Sequence, residues 1–376
     1  MSVRSILTLV LIGAVACSSQ PNRYTRKQAQ KSLARLETPG LTIGEFTMGR
    51  VVDGDTIHVE GLDSSLRLLG FDAEETFKHE EERRSYEGGW DQYKIAVRTG
   101  KDGKRLPRPA KFATPMGDFA RDWAVKWFTG VDKVRRERDH PAEIRDRYNR
   151  YLAYVFANKN GVWLNYNVEA VRAGMAPYFP KYGQSRRYHK DFVDAEAEAK
   201  AAKRGIWQPG VEAYDDYPER EAWWGARGEF VAKFREEAEG NGGKANYIDL
   251  THWDALSTLE SMIGKEVVLL ATVGEVYIGE KGPTRVTLSR AQKSDFPLIF
   301  FDKDVFGSSG IAGWKGEWVR VTGVPSFYEN KHTHKKQLQL QIDRASQIEL
   351  SPVPGLTKTT VPAQTPTVSP SADNPD

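Results

Sequence analysis

Val52-Asp53-Gly54-Asp55-Thr56 and Arg67-Leu68-Leu69-Gly70-Phe71-Asp72-Ala73-Glu74-Glu75-Thr76 are the stretches from which the fold of this chain is read. Phe46–Val52 and Thr56–Glu60 have strand character, with Ile57 and Val59 alternating against Thr56, His58 and Glu60. Gly61–Ser65 supplies turn residues and Leu66–Phe71 the return strand. A hairpin turning near Asp63 sets Asp55 across from about Phe71, so Asp55 and Asp72 meet at one rim. Two carboxylates this close repel unless positive charge sits between them. Calcium or another hard divalent cation suits carboxylate and carbonyl oxygens. Glu75 follows after a turn, available as a base, and Arg67 brings a planar fork suited to phosphate. Singly, each residue has a plain structural reading: Asp53-Gly54-Asp55 as a tight turn, Arg67 as a solvated strand residue. Their joint occurrence in this order points to phosphate chemistry.

Outward from the hairpin, Met116–Phe128 carries Phe119, Trp123 and Trp127 at helical spacing, and Arg187–Arg204 carries Tyr188, Phe192, Ala195, Ala199 and Ala202. Both stripes are expected to face a core. Tyr151–Phe156 and Val162–Leu164 read as strands, and Val168–Ala173 as a short helix. The order implies a mainly β fold with helices: a small barrel with helices packed on it.

These residues carry a resemblance. The two opening stretches, then Asp146-Arg147-Tyr148-Asn149-Arg150-Tyr151, then Ala170-Val171-Arg172-Ala173-Gly174 and Arg204-Gly205-Ile206-Trp207, resemble the landmarks of the staphylococcal nuclease-like family. The resemblance covers about residues 45–207. It implies an OB-fold-like nuclease barrel over 41–207. Asp55 and Asp72 would ligate calcium through carboxylates, and Ala73 through its backbone carbonyl. Glu75 would orient or deprotonate the attacking water. Arg67 and Arg150 would grip the scissile phosphate, with Arg147, Tyr148, Tyr178 and Tyr182 as further substrate contacts. The family's usual Thr-Pro is Ala73-Glu74 here, which puts an extra carboxylate near the metal. Asn149 stands for a glycine, and asparagine tolerates positive φ. The segment 78–113 is an insertion. Its second half holds Arg98, Lys101, Lys104, Arg105, Arg108 and Lys111 against Asp102, and reads as a phosphate-tracking arm or a solvated loop.

The remainder of the 376 residues is read from composition. Hydrophobic residues make up 39%, which excludes global disorder. The formal charge of +3, from 54 basic and 51 acidic residues, does not decide for or against a polyanion partner. Cys17 is the one cysteine, excluding an intramolecular disulfide and an all-cysteine zinc site. Arg4 followed by the apolar run Ile6–Ala16 has the form of a signal peptide over 1–16, too short to span a membrane. Ala14-Val15-Ala16-Cys17 resembles the lipobox of bacterial lipoproteins, which implies lipidation at Cys17. An ordinary secretory signal is the other reading. Residues 17–40 are expected to form a tether and 351–376 a disordered Pro/Ser/Thr-rich tail.

Residues 208–262 read as a helical linker, with Pro218 opening a helix through Phe230 and Phe234 to Gly240. Residues 263–350 read as consecutive strands resembling a second OB-fold, a barrel often used for single-stranded nucleic acid. Its candidate contacts are Tyr277, Phe327, Tyr328, Lys331, His332, Lys335 and Lys336. His332-Thr333-His334 lacks a third ligand and is weak as a metal site.

The expectation is therefore an extracytoplasmic, lipid-anchored, calcium-dependent nuclease acting on DNA or RNA, with no obligate protein partner. In a Gram-negative cell, Ser18 after the cysteine points to the outer membrane. The alternatives are a catalytically silent envelope lipoprotein that binds nucleic acid or protein, and a purely structural one.

Overall fold

A computed structural model describes residues 40–354 apart from 107, 241–242, 281, 290–295, 330–333 and 335. The signal peptide, Cys17, nearly all of the tether, most of the tail, and Lys331, His332 and Lys335 lie outside the described residues.

The nuclease-like half begins with β1 (Thr42–Asp53), β2 (Thr56–Val59) and β3 (Leu66–Leu68). The insertion holds α1 (Glu80–Glu87) and α2 (Trp90–Arg98). Then come α3 (Pro115–Phe128), β4 (Lys133–Glu137), β5 (Tyr151–Lys159), β6 (Val162–Asn165), α4 (Tyr166–Arg172) and α5 (His189–Ala201). The sheet order is β3-β2-β1-β4-β5-β6, and β3 also pairs with β5 in parallel, Leu66 beside Tyr151 and Arg67 beside Leu152. That extra pairing closes β1–β5 into a barrel, with β6 added at the edge of β5. Ile57, Leu66, Leu68, Val134, Ala153 and Val155 fill it.

The hairpin register differs from the expectation. Thr56 faces Arg67 and the Leu68 amide donates to the Asp55 carbonyl at 3.0 Å, so Asp55 lies across from Leu68, not Phe71. The strand stops at Leu68 because the chain turns at Gly70, whose φ is 82°. A Cβ there would both force the left-handed region and overlap the Phe192 ring. The turn brings Asp72 back to the rim.

On α3 the buried stripe is Met116, Ala120, Ala124 and Phe128, one position away from the expected one. Trp123 and Trp127 are only partly buried against the core, and Phe119 is 51% exposed. Two small alanines let the helix axis approach the barrel, and that leaves the aromatics on the flanks. Thr114 caps this helix by accepting from the Gly117 amide, with Pro115 in the first turn.

The 208–262 segment packs on both halves. Its helix α6 (Tyr217–Glu239) buries one long face, among it Trp223, Trp224, Arg227, Val231 and Phe234, and leaves Glu219, Ala222, Glu229, Lys233 and Glu236 exposed on the other. After β7 (Tyr247–Asp249) and α7 (Ala255–Ser261), the second sheet is built from β8 (Val267–Tyr277), β9 (Thr284–Ser289), β10 (Phe296–Phe300), β11 (Trp318–Gly323), β12 (Pro325–Glu329), β13 (Lys336–Gln341) and β14 (Ile348–Leu350), with α8 (Lys303–Ser309) between β10 and β11. A second β domain is therefore present. It repeats the first barrel's pairing: three antiparallel strands in sequence, the third parallel to a late strand (β10 with β13), the first antiparallel to β11. Among the described residues β11 continues into β14 where the first barrel closes. Ser351 and Val353 are buried, with the Ser351 amide donating to the Trp318 carbonyl at 2.9 Å.

One apolar cluster joins the insertion (Tyr93, Phe112), α6 (Tyr217, Trp223, Trp224) and the second sheet (Leu269, Leu288, Leu298).

Candidate active site

Asp55 sits in the β1–β2 turn and Asp72 in the loop after β3, both nearly buried. Gly54 permits their approach: a Cβ there would come within 2.7 Å of the Ala73 Cβ. Arg67 lies between the two acids. Its Nη1 pairs with Asp55 Oδ2 and its Nη2 with Asp72 Oδ1 at 2.5 Å. Burial alone would lower the guanidinium pKa, yet the two carboxylates outweigh it and push the value up. Burial likewise opposes ionisation of Asp72, but Lys111 and Arg67 hold that carboxyl down to about 2. Asp53, by contrast, is pushed up by burial and by the neighbouring Asp55.

Glu75 is the more accessible carboxylate, 36% exposed at its side chain, with Lys78 Nζ at 3.1 Å. Its carbonyl accepts from the Thr114 amide at 3.0 Å, which ties it to the start of α3. Glu74 corrects an expectation. It does not crowd the metal side but turns into the core, 2% exposed, where it accepts from Thr114 Oγ1, from the Tyr214 amide at 2.8 Å and from Tyr217 Oη at 2.6 Å. Burial raises its pKa.

Arg150 directly precedes β5, the strand beside β3. Asp146 organises the turn before it: Oδ1 accepts from the Tyr148 and Arg150 amides, both at 2.9 Å, and Oδ2 pairs with Arg150 Nε at 2.7 Å. Asn149 has φ 68°, the left-handed conformation for which asparagine is suited. Arg147 and Arg150 both lie over the ring of Tyr148, at 5.6 and 5.5 Å, and that ring is 63% exposed.

The two tyrosines divide. Tyr182 is 58% exposed, with its ring beside Phe179 and Lys181. Tyr178 is buried, stacked on Phe192 at 5.0 Å, and its hydroxyl accepts from the Ser185 amide and meets His189 Nδ1. This withdraws Tyr178 from any face that could meet a nucleobase, a correction to its expected role.

The basic insertion is neither a free arm nor a solvated loop. Arg98 pairs with Asp215 at 2.6 Å, Arg105 with Glu219 at 3.2 Å, and Arg108 with Glu317 at 3.2 Å and with the Gly313 and Lys315 carbonyls. Lys101 and Lys104 are exposed. Lys111 instead reaches Asp72, at 2.5 Å. Sequence reasoning had Lys111 in the basic run but no signal for this contact, since it spans 39 residues. Lys181 was missed as well. Burial and the charge of Arg227 push its ammonium down to about 7, over the Trp223 ring at 4.6 Å.

The residues present fit a hard divalent ion. Two nearly buried carboxylates converge on Arg67, and both already draw cations. A second group able to hold a cation is His140, Glu143 and His252, whose ligand atoms lie within 4.8 Å of one another beside a cavity of about 200 Å³. Its imidazoles stack at 4.6 Å with planes 12° apart, so their in-plane lone pairs do not converge, and Arg235 already pairs with Glu143 at 2.8 Å.

Residues 65–209 match the family model described as staphylococcal nuclease homologue. Over that segment the chain is similar to the staphylococcal nuclease-like family. Arg67, Asp72, Glu75 and Arg150 fall inside the matched segment, and Asp55 lies ten residues before it. The nuclease-like segment is 29% identical over 163 residues to a thermonuclease of Staphylococcus hyicus, covering 42% of this chain and 72% of that protein. Identity to a thermonuclease of Staphylococcus intermedius is 26% over 213 residues, 55% and 99% of the two chains. An uncharacterized protein of Methanocaldococcus jannaschii is 29% identical over 168 residues, 42% of this chain and 69% of the relative.

In the second β domain Tyr277, Phe327 and Tyr328 are 49%, 44% and 46% exposed, and Arg285 lies 4.5 Å over the Tyr277 ring. Lys336 is exposed at the start of β13. His334, the described histidine of the His332-Thr333-His334 run, faces Glu329 at 3.2 Å.

Proposed function

We propose that this protein is an extracytoplasmic, calcium-dependent nuclease hydrolysing phosphodiester bonds of DNA or RNA. The observation that carries this reading is the convergence of Asp55, Asp72 and Arg67 at one barrel rim, with Glu75 on the adjoining loop. Asp55, Asp72 and the Ala73 carbonyl are the groups that would hold calcium. Bound there, the ion would polarise a phosphoryl oxygen. Glu75 has the exposure to take a proton from an attacking water, and the backbone link to Thr114 holds the loop that carries it. Arg67 presents a guanidinium whose charge is secured by its surroundings, suited to the charge that grows on the phosphate. Arg150 and the exposed ring of Tyr148 offer a second grip on the neighbouring strand.

Incubation of the purified protein with single-stranded DNA and RNA tests the reading. Cleavage is expected with calcium and none after chelation. Binding without cleavage under any divalent ion would establish the silent binding module instead.

The location rests on the sequence of residues 1–17. Among the described residues no helix is long and apolar enough to cross a membrane. Lipidation at Cys17 would supply an anchor of ~0.8 kcal/mol per buried methylene. Radiolabelled palmitate should enter the wild-type protein in its bacterial host and not Cys17→Ser. Equal labelling of both would refute the anchor.

A further inference from the structure

Lys111 stands on Asp72, one of the two carboxylates proposed to hold the metal. Its Nζ lies 2.7 Å from Asp72 Oδ1 and 2.5 Å from Oδ2, and 3.9 Å from Glu75 Oε1. The position is built rather than adopted by a swinging loop. On one side Arg220 Nη2 donates to the Ala110 carbonyl at 2.5 Å. On the other, the Phe112 amide donates to Tyr214 Oη at 3.0 Å and its carbonyl accepts from the same hydroxyl at 2.7 Å. Phe112 itself is buried in the cluster shared with α6. The 44% exposure of the lysine side chain leaves it room to withdraw.

Calcium sits about 2.3–2.6 Å from its oxygen ligands. The ammonium already contacts both Asp72 oxygens at that range, and two cations do not share a carboxylate so closely without strong repulsion. We propose that Lys111 is a built-in competitor for the divalent cation, neutralising Asp72 when the metal is absent and leaving it as the metal enters. The insertion thereby sets a threshold of metal concentration for the site. This rests on the reading of Asp55 and Asp72 as metal ligands.

Calorimetric titration of calcium into the metal-free full-length protein tests it, comparing wild type with Lys111→Met, Lys101→Met and Asp72→Asn. Lys111→Met should bind calcium about 10–100-fold more tightly, the equivalent of one hydrogen bond to a charged group removed from competition. Lys101→Met, an exposed lysine of the same insertion, should match wild type. Asp72→Asn should lose the binding event. Circular dichroism verifies folding, and Lys111→Gln replaces the methionine variant if that one is unstable. Equal or weaker affinity in the Lys111 variants, with binding intact in wild type and lost in Asp72→Asn, would overturn the competitor role alone. Absence of any Asp72-dependent binding in all variants would sink the metal site and this inference together.

Discussion

Arg67→Ala should lower the rate of phosphodiester cleavage ~10²–10³-fold, the usual loss when one preorganised donor to a developing charge is removed. Arg67 is fixed by two acids at once, so its orientation is set before substrate arrives. Its removal takes one positive charge from between two carboxylates, so calcium affinity should hold or rise while turnover falls. That separation distinguishes a lost transition-state contact from a collapsed site. Arg67→Lys should remain well below wild type, because a single ammonium cannot fork between Asp55, Asp72 and a phosphate. Steady-state kinetics beside calcium titration checks both parts. Unchanged kcat in Arg67→Ala would remove Arg67 from the reaction.

Glu317→Ala should be the most damaging single change to stability, about 3–5 kcal/mol, the range found when one partner of a buried ion pair is deleted. Glu317 and Arg227 are 1% and 0% exposed at their side chains and pair directly. Trp223 Nε1 donates to the same carboxylate at 3.2 Å, and Arg108 from the insertion reaches it at 3.2 Å. Alanine would strand the Arg227 guanidinium in the interior and release Arg108. Urea unfolding followed by tryptophan fluorescence should show a clearly lower midpoint. A Glu317→Leu, Arg227→Met double variant should recover much of the loss, since no lone charge remains buried. A midpoint unchanged in Glu317→Ala would contradict this account.

The opening hairpin and the two aspartates were legible because turn residues and alternating apolar residues are local signals. The register was not. Extending the return strand to Phe71 ignored Gly70, whose left-handed φ ends it. The helix after the insertion was legible as a helix, while its buried face was misread, because Ala120 and Ala124 give a weak apolar signal beside two tryptophans. Strand β4, Lys-Val-Arg-Arg-Glu, shows no apolar alternation at all. Its Arg136 is buried all the same, stacked over Tyr151 at 4.8 Å with burial pushing its pKa down to about 9. Helix α6 was legible from Pro218 and the Phe230–Phe234 spacing, but its buried face was not, because Arg220, Arg227 and Arg235 lie on that face among the apolar residues. Asp55, Asp72, Glu75 and Arg67 could be found from order and spacing. Lys111 could not, since its partner is set by the fold and not by the local chain.

Glu74 gives the architecture a different meaning from a string of modules. One residue before the proposed base, it accepts hydrogen bonds from Tyr214 and Tyr217, which lie beyond the end of the family match at residue 209. Cutting the chain at that end would strip the Tyr214 and Tyr217 donors from Glu74, leaving it Thr114, and would release the clamp on Phe112. The catalytic loop and the helix that follows the family segment are thus one mechanical unit. The boundary drawn by kinship is not a boundary of packing: the contacts that seat Glu74 come from both sides of it.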